Sequence, residues 1–268
     1  MDNRNEAISK LKSLTGKRYI YFFDSGDDAI FWVMNHLKDR GFKKILIPGS
    51  GGWFSYRKYP KKLGLDVIEI KTIDSLIDVE DLKQKIEADA FVLINSIGGY
   101  FVAEPMIEIV GLCKHKFSIL VNDVSASLGN DLAKFGDFCV GSFGEYKPIE
   151  LGIGGFVGSD TELIIEKCGF ENDDNMQMLN NELDRLQEKL SYWKSVREKI
   201  LVELSGYDIL HKDSMGINVV IAYDIDEEKE NLINYCDKHH LEYVLCPNYI
   251  KVDRQAISIE LKRVKYKK

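Results

Sequence analysis

No run of about 18 uncharged apolar residues, the length needed to cross a bilayer, occurs anywhere in this chain of 268 residues. The opening stretch, Met1 to Lys17, is polar and charged and lacks the short apolar core of a secretory signal. No membrane association is therefore expected, and the protein reads as cytoplasmic. Cysteine is sparse: Cys113, Cys139, Cys168, Cys236 and Cys246 are odd in number, far apart and never in a Cys-x-x-Cys pair. That pattern argues against a disulfide framework or a zinc site, and the five read as reduced core thiols. His239-His240 lack the spacing of a metal pair and read as the end of a helix. An excess of positive charge is also missing. The net charge is −7, so no global field draws the chain to nucleic acid or anionic lipid. The basic tail, Lys262 to Lys268, reads as a solvated end. The glycine-rich stretch Pro48-Gly49-Ser50-Gly51-Gly52-Trp53-Phe54 has neither Walker spacing nor Gly-x-Gly-x-x-Gly, which makes a nucleotide loop a poor reading.

What the chain does have is 45% hydrophobic and 29% charged residues, enough for one large domain and a small one. Tyr19 to Phe23, Ile45 to Pro48, Val67 to Ile70, Ala90 to Ile94, Ser118 to Val121 and Phe138 to Ser142 read as short buried strands. Amphipathic segments such as Ala29 to Lys38 and Val79 to Ile86 lie between them. The alternation predicts an α/β fold whose mainly parallel sheet carries helices on both faces. Further on, Thr161 to Lys167 reads as a short helix and Glu171-Asn172-Asp173-Asp174 as an acidic linker. Leu179, Leu183, Leu186, Leu190, Trp193, Ile200 and Leu204 then form the stripe of one long helix. The remainder reads β-α-β-β: Ile217 to Ala222, Glu227 to Lys238, Tyr243 to Cys246 and Ala256 to Leu261. The expected organisation is a large domain over 18–170, a long interdomain helix over 176–204 and a small C-terminal α+β domain over 205–268.

In a parallel sheet ligands bind beyond the carboxyl ends of the strands, so the residues just after each run are the candidates for function. After the first run comes Asp24-Ser25-Gly26-Asp27-Asp28-Ala29, a Ser-Gly turn entering a helix. Free N–H groups and the positive dipole end make such a turn an anion site. Equally, Ser25 caps the helix while Asp27 and Asp28 favour its first turn. After the second run, Trp53 or Phe54 either faces a ligand or covers the sheet edge. Asn95, after the fourth, either reaches a ligand or holds a turn. Asp123 follows the fifth run. Ser142 ends the sixth, and Lys147 stands on the turn between it and the return Gly152-Ile153-Gly154-Gly155-Phe156-Val157. A lysine amine is nucleophilic only when neutral, and a desolvating pocket lowers its pKa toward that state.

Ser142-Phe143-x-x-x-Lys147 followed by Gly152-x-Gly154-Gly155 resembles the cofactor-lysine segment of the DegT/DnrJ/EryC1/StrS sugar aminotransferases. Asn122-Asp123-Val124-Ser125-Ala126-Ser127-Leu128-Gly129 is similar to that family's Glu-Asp-Ala-Ala-Gln-Ala-Leu-Gly. The resemblance runs from about Tyr19 to Val157, with its anchors in order. It implies pyridoxal-phosphate (PLP) fold type I and PLP as cofactor, with 18–170 as the PLP-binding part. Lys147 would carry the cofactor as a Schiff base. Asp123 would pair with the protonated ring nitrogen. Ser142 and the Ser25-Gly26-Asp27 turn would hold the phosphate, and Trp53 would stack on the ring. The family's hydroxyl, glutamine and glutamate are replaced by Asp27, Ala126 and Ile153, and Pro148 stands where it has Asn. Ser125 is the candidate substitute for the lost ring contact. The implied function is transamination between a small amino donor and a carbonyl acceptor such as a keto-sugar, in a homodimer. Elimination or desulfuration with PLP, and a catalytically silent binding or scaffold protein, stay open as alternatives.

Overall fold

Phe91 and Leu93 lie on one side of their strand, Val92 and Ile94 on the other, and all four are buried. A strand that is apolar on both sides has to be covered on both sides. The computed structural model, which describes residues 2–165, 169–248 and 252–266, shows how this is done. Seven strands make the main sheet: β1 (Tyr19–Phe23), β2 (Lys44–Pro48), β3 (Asp66–Ile70), β4 (Ala90–Asn95), β5 (Ile119–Asp123), β6 (Phe138–Ser142) and β7 (Gly155–Ser159). Their spatial order is β1-β7-β6-β5-β4-β2-β3. β3, β2, β4, β5 and β6 pair in parallel, and β7 runs antiparallel to both of its neighbours, β6 and β1. The expected mainly parallel sheet is present.

Helices α2 (Gly26–Asp39) and α3 (Ser55–Leu63) cover one face, where Val33, Met34 and Leu37 meet Ile45, Ile47, Phe91, Leu93 and Val140. Helices α4 (Val79–Lys85) and α5 (Met106–His115) cover part of the other, over Leu46, Val92, Ile94 and Leu120. The rest of that face is closed by α1 (Asn3–Thr15) and α6 (Asp173–Glu203). Ala7 and Leu11 of α1 share a buried cluster with Ile20, Phe22, Phe156, Leu179, Leu183 and Leu186. Sequence reasoning treated Met1 to Lys17 only as a polar start and missed α1, because its buried stripe is just Ala7, Leu11 and Thr15.

Two other expectations are corrected. Thr161 to Ile165 is not helical. Leu163 and Ile165 alternate onto the core around α2 while Ile164 is exposed, a spacing of two that suits extended chain. The rest of that segment, Glu166 and Lys167, lies outside the described residues, as does Cys168. The acidic stretch is not a linker either. Asn172 Oδ1 accepts from the Asn175 amide as the N-cap of α6, and Asp173 and Asp174 occupy its first turn, where carboxylates favour the helix dipole. Glu171 pairs with Arg4.

The second half of α6 buries Ile200, and its C-cap Leu204, in a separate core with Val219, Ile221, Leu232, Cys236, Ile257 and Ile259. This is the C-terminal α+β unit: β8 (Asp208–Ile209), β9 (Val219–Ala222), α7 (Asp226–Lys238), β10 (Tyr243–Cys246) and β11 (Ala256–Ile259). Its sheet is antiparallel in the order β8-β9-β11-β10. His239 is the C-cap of α7. Cys113, Cys139, Cys236 and Cys246 are free and buried, and burial pushes each thiol up to about 12. The C-terminal unit presses on the loop after β4. A Cβ at Gly216 would lie 2.4 Å from Phe101 Cα, so only glycine lets the two backbones meet.

Candidate active site

The carboxyl ends of β1, β2, β4, β5 and β6 converge on a cleft, and residues at or just after each of them line it. Its inner part is lined by Ser25, Gly26, Asp27, Trp53, Ser125 and Ser142, with Tyr100, Asp123 and Lys147. The structure thus brings together every residue expected from the sequence: the turn after β1, the aromatic after β2, the carboxylate of β5, and the serine and lysine after β6. The outer part is shared with Tyr100, Asp123 and Lys147 and extends to Tyr146, Glu260, Lys262 and Arg263.

The turn after β1 has the capping role read from the sequence and also faces the cleft. Ser25 Oγ accepts from the Asp28 amide at 3.1 Å and donates to the Asp28 carboxylate at 2.7 Å, so it caps α2 while lining the cleft. Gly26 is required by packing. A Cβ there would sit 2.5 Å from Ser142 Cβ, so the glycine is what lets the end of β6 reach the start of α2. Asp27 is bonded to the indole: Trp53 Nε1 donates to its Oδ1 at 3.1 Å. Of the two aromatics after β2, Trp53 lines the cleft. Phe54 packs edge-on against it from outside, with ring centroids 5.4 Å apart.

Asp123 is 7% exposed. Its Oδ2 accepts from Tyr56 Oη at 2.7 Å and its Oδ1 from the Ser125 amide at 2.9 Å. Tyr56 is fully buried; burial, followed by the Asp123 carboxylate, pushes its hydroxyl pKa far up, so it acts as a donor. Ser125 Oγ accepts from the Ser142 amide at 3.0 Å, and Ser142 Oγ accepts from the Gly144 amide at 3.1 Å. These bonds fix β5, β6 and the lysine turn as one framework. Asn95 has turn duty, donating to Gly51 O and Ile97 O. Ala126 is buried against Ile97, Trp193 and Ile217, which accounts for its small apolar side chain.

Lys147 Nζ donates to Tyr100 Oη and lies 5.2 Å from the Trp53 ring centroid. A lowered pKa was expected for it. Burial does act in that direction, but Tyr100, followed by the Asp123 and Glu260 carboxylates, outweighs it and the net shift is upward. The basic tail also departs from expectation. Lys262 is not solvated: its side chain is 9% exposed, pairs with Glu260 at 2.5 Å and sits 4.1 Å from the Tyr100 ring centroid. Arg263 lies 4.3 Å over the Tyr146 ring and bonds Glu242 at 3.0 Å.

Sequence reasoning missed Tyr56, Tyr100, Glu260 and Lys262. Tyr56 lies within α3 and Tyr100 five residues beyond β4, while Glu260 and Lys262 reach the cleft from a different sheet. The alternation Ser258-x-Glu260-x-Lys262 at a strand end was the one available signal. Among the described residues there is no cluster of three or more His, Cys, Asp or Glu able to hold a metal ion.

Two family models match the chain. The DegT/DnrJ/EryC1/StrS aminotransferase family matches residues 5–207, and the MJ1341 family C-terminal domain matches residues 177–268. No curated protein matches. Solved structures similar to it include 3-amino-5-hydroxybenzoic acid synthase, at TM-score 0.76 and 12% identity over 98% of this chain and 86% of that one. Spr1654 from Streptococcus pneumoniae in its PLP form has TM-score 0.76 and 14% identity over 97% and 86%. A variant of GDP-4-keto-6-deoxymannose-3-dehydratase with bound GDP-perosamine has TM-score 0.72 and 13% identity over 97% and 88%. At such identities the likeness is one of fold.

Proposed function

The chain belongs to the DegT/DnrJ/EryC1/StrS aminotransferase family, and from that premise we propose that it binds PLP at Lys147 and transfers an amino group from a small amino donor to a carbonyl acceptor. The observation that carries this reading is the convergence of Lys147, Asp123, Trp53, Ser142 and the Ser25-Gly26 turn on one cleft. The donor set fits the cofactor. Each Asp123 oxygen accepts one bond within the protein, and a carboxylate oxygen has capacity for a second, so a ring N–H finds an acceptor. The start of α2 and Ser142 offer amide and hydroxyl donors for a phosphate. Asp27 is the discordant group, and its bond to Trp53 gives it a second use in holding the indole.

Bound there, PLP supplies an aldehyde for amines and a ring that draws electrons from them. Lys147 Nζ would hold the cofactor and would move a proton at the donor's α-carbon. Asp123 keeps a proton on the ring nitrogen, with Tyr56 and the Ser125 amide fixing its orientation. Trp53, tied to Asp27, shields one face from water. The bound GDP-perosamine of one structural neighbour favours a keto-sugar acceptor.

Residues 18–170 form the cofactor-binding domain, 176–204 the connecting helix and 205–268 the small domain in this reading. The protein is a cytoplasmic homodimer without nucleic-acid or membrane partners. Exposed Trp53, Phe54, Tyr146 and Ile153 near the cleft support a second copy there. No helix of the described residues is long and apolar enough to cross a membrane. Purified protein mixed with PLP should gain a visible absorption band that Lys147→Ala abolishes, and light scattering should give twice the chain mass. Wild-type protein without a band would remove the reading.

A further inference from the structure

Tyr100 is the residue at which Lys147 and the C-terminal unit meet. It follows Gly98-Gly99 and has φ +70°, a left-handed backbone that a side chain as large as tyrosine adopts only when its surroundings enforce it. The C-terminal unit supplies the enforcement. The Ile217 amide donates to Tyr100 O at 2.8 Å, and Gly216 packs directly on Phe101. That conformation aims the phenol at Lys147 Nζ, which donates to its oxygen.

The ring is gripped from the C-terminal side as well. Lys262 Nζ lies 4.1 Å from the ring centroid and Lys147 Nζ 4.6 Å, so two ammonium groups approach the one phenol. Two cations sharing one ring repel each other, so an arrangement like this needs a carboxylate to hold it. Glu260, 2% exposed, is that group. It pairs with Lys262 at 2.5 Å while its Oε1 accepts from Ser258 Oγ at 2.9 Å and Asn218 Nδ2 at 3.0 Å. The chain of contacts Asn218/Ser258–Glu260–Lys262–Tyr100–Lys147 therefore runs unbroken from β11 and the residue before β9 to the lysine amine.

We infer that Tyr100 is a positioning residue for Lys147, and that the Lys262–Glu260 pair clamps it, so that the C-terminal unit governs the reactivity of the lysine amine. This rests on Lys147 being the reactive lysine, and it adds a control that the match over residues 5–207 does not contain, because Glu260 and Lys262 lie beyond it. The charged and titratable groups lining the cleft around Lys147 are Tyr56, Tyr100, Tyr146, Asp27, Asp123, Glu145, Glu260, Lys262 and Arg263. Tyr100, Asp123 and Glu260 all favour the ammonium, in agreement with the upward direction of its pKa.

The test is competitive acetylation of the full chain with acetic anhydride, without added PLP, across the alkaline range. Labelling at Lys147 is read by peptide mass spectrometry. In Tyr100→Phe the half-labelling pH at Lys147 should fall by roughly one unit, because the ammonium loses its hydrogen-bond acceptor. In the Lys262→Met background the same Tyr100→Phe change should move it by less, because the phenol is already loosened. An unmoved profile in Tyr100→Phe overturns the inference. So does an equal shift in both backgrounds, the result expected if Lys262 acts only as a second positive charge. Should Tyr100→Phe not fold, Tyr100→Leu takes its place in both backgrounds. Since the reagent needs no cofactor, the absence of a PLP band would defeat the proposed function without touching this result.

Discussion

Tyr56→Phe isolates the support of the Asp123 carboxylate, because it deletes one oxygen from a fully buried residue and leaves the ring volume in place. Tyr56 Oη donates to Asp123 Oδ2 at 2.7 Å, and the phenol remains protonated because burial and the carboxylate both raise its pKa. A hydrogen bond to a charged group contributes about 1.5–3 kcal/mol, and a carboxylate left buried with one fewer donor bears the full loss. Stability should therefore fall by about 2 kcal/mol, or roughly 4–8 °C in melting temperature for a chain of this size. Urea unfolding followed by far-UV circular dichroism measures it. The cause is separable from packing by repeating the change in Asp123→Asn. Against a neutral amide the same deletion should cost about 1 kcal/mol less. A loss below about 0.5 kcal/mol, or an equal loss in both backgrounds, would refute the assignment of Tyr56 as the charge-assisted donor.

Asp27→Thr removes a carboxylate from the Ser25-Gly26 side of the cleft and should tighten PLP about fivefold, the scale of one partly screened charge contact, in a tryptophan-fluorescence titration. Weaker binding would instead show that holding Trp53 is the larger contribution of Asp27. Gly26→Ala sets a Cβ 2.5 Å from that of Ser142 and should cost about 1–3 kcal/mol of stability, so an unchanged thermal melt would mean that β6 and α2 can separate freely. Burial raises the Glu104 carboxyl to about 8 in the folded chain, against about 4.3 for an unfolded one. The folded state thus keeps a proton that the unfolded state has released, and this contribution to stability is full below the lower value and is lost as the pH rises through about 8. Glu104→Gln keeps an acceptor for the Ile77 amide, 3.1 Å away, and should abolish that fall. Urea midpoints at the two ends of the window that still differ as in the wild type would speak against a neutral Glu104.

The main sheet was legible in the sequence because its strands are apolar on both faces, and such runs as Ala90 to Ile94 have few other readings. The cleft was legible to the extent that its groups follow strand ends: Ser25, Asp123, Ser142 and Lys147 each sit within a few residues of one. Partnerships were not. Ser25 caps α2 and also faces the cleft, and sequence could only offer these as alternatives. The net direction of the Lys147 pKa depends on Tyr100 and Glu260, which are 47 and 113 positions away, so a local reading could see only the desolvation. Lys262 and Arg263 looked like a solvated tail because charge-rich ends usually are. Their burial comes from Glu260 and two tyrosine rings, which only the assembled fold provides.

Strand β7 is the one strand of the main sheet that runs against its neighbours, and it is the sole neighbour of β1. Tyr19 pairs with Ser159 and Phe23 with Gly155, so β1 has no place in the sheet until β7 has been made. Closing so long a loop is slow relative to local helix formation, because its entropy has to be overcome before any pairing rewards it. Until then Ser25 and Gly26 have no fixed position opposite Ser142, and the lysine turn has no return strand. A nascent chain released before Gly155 would hold β2 to β6 in register, yet it would display a bare sheet edge and half a cleft. The Ser25-Gly26 turn, the first part of the cleft in chain order, is accordingly among the last to be assembled.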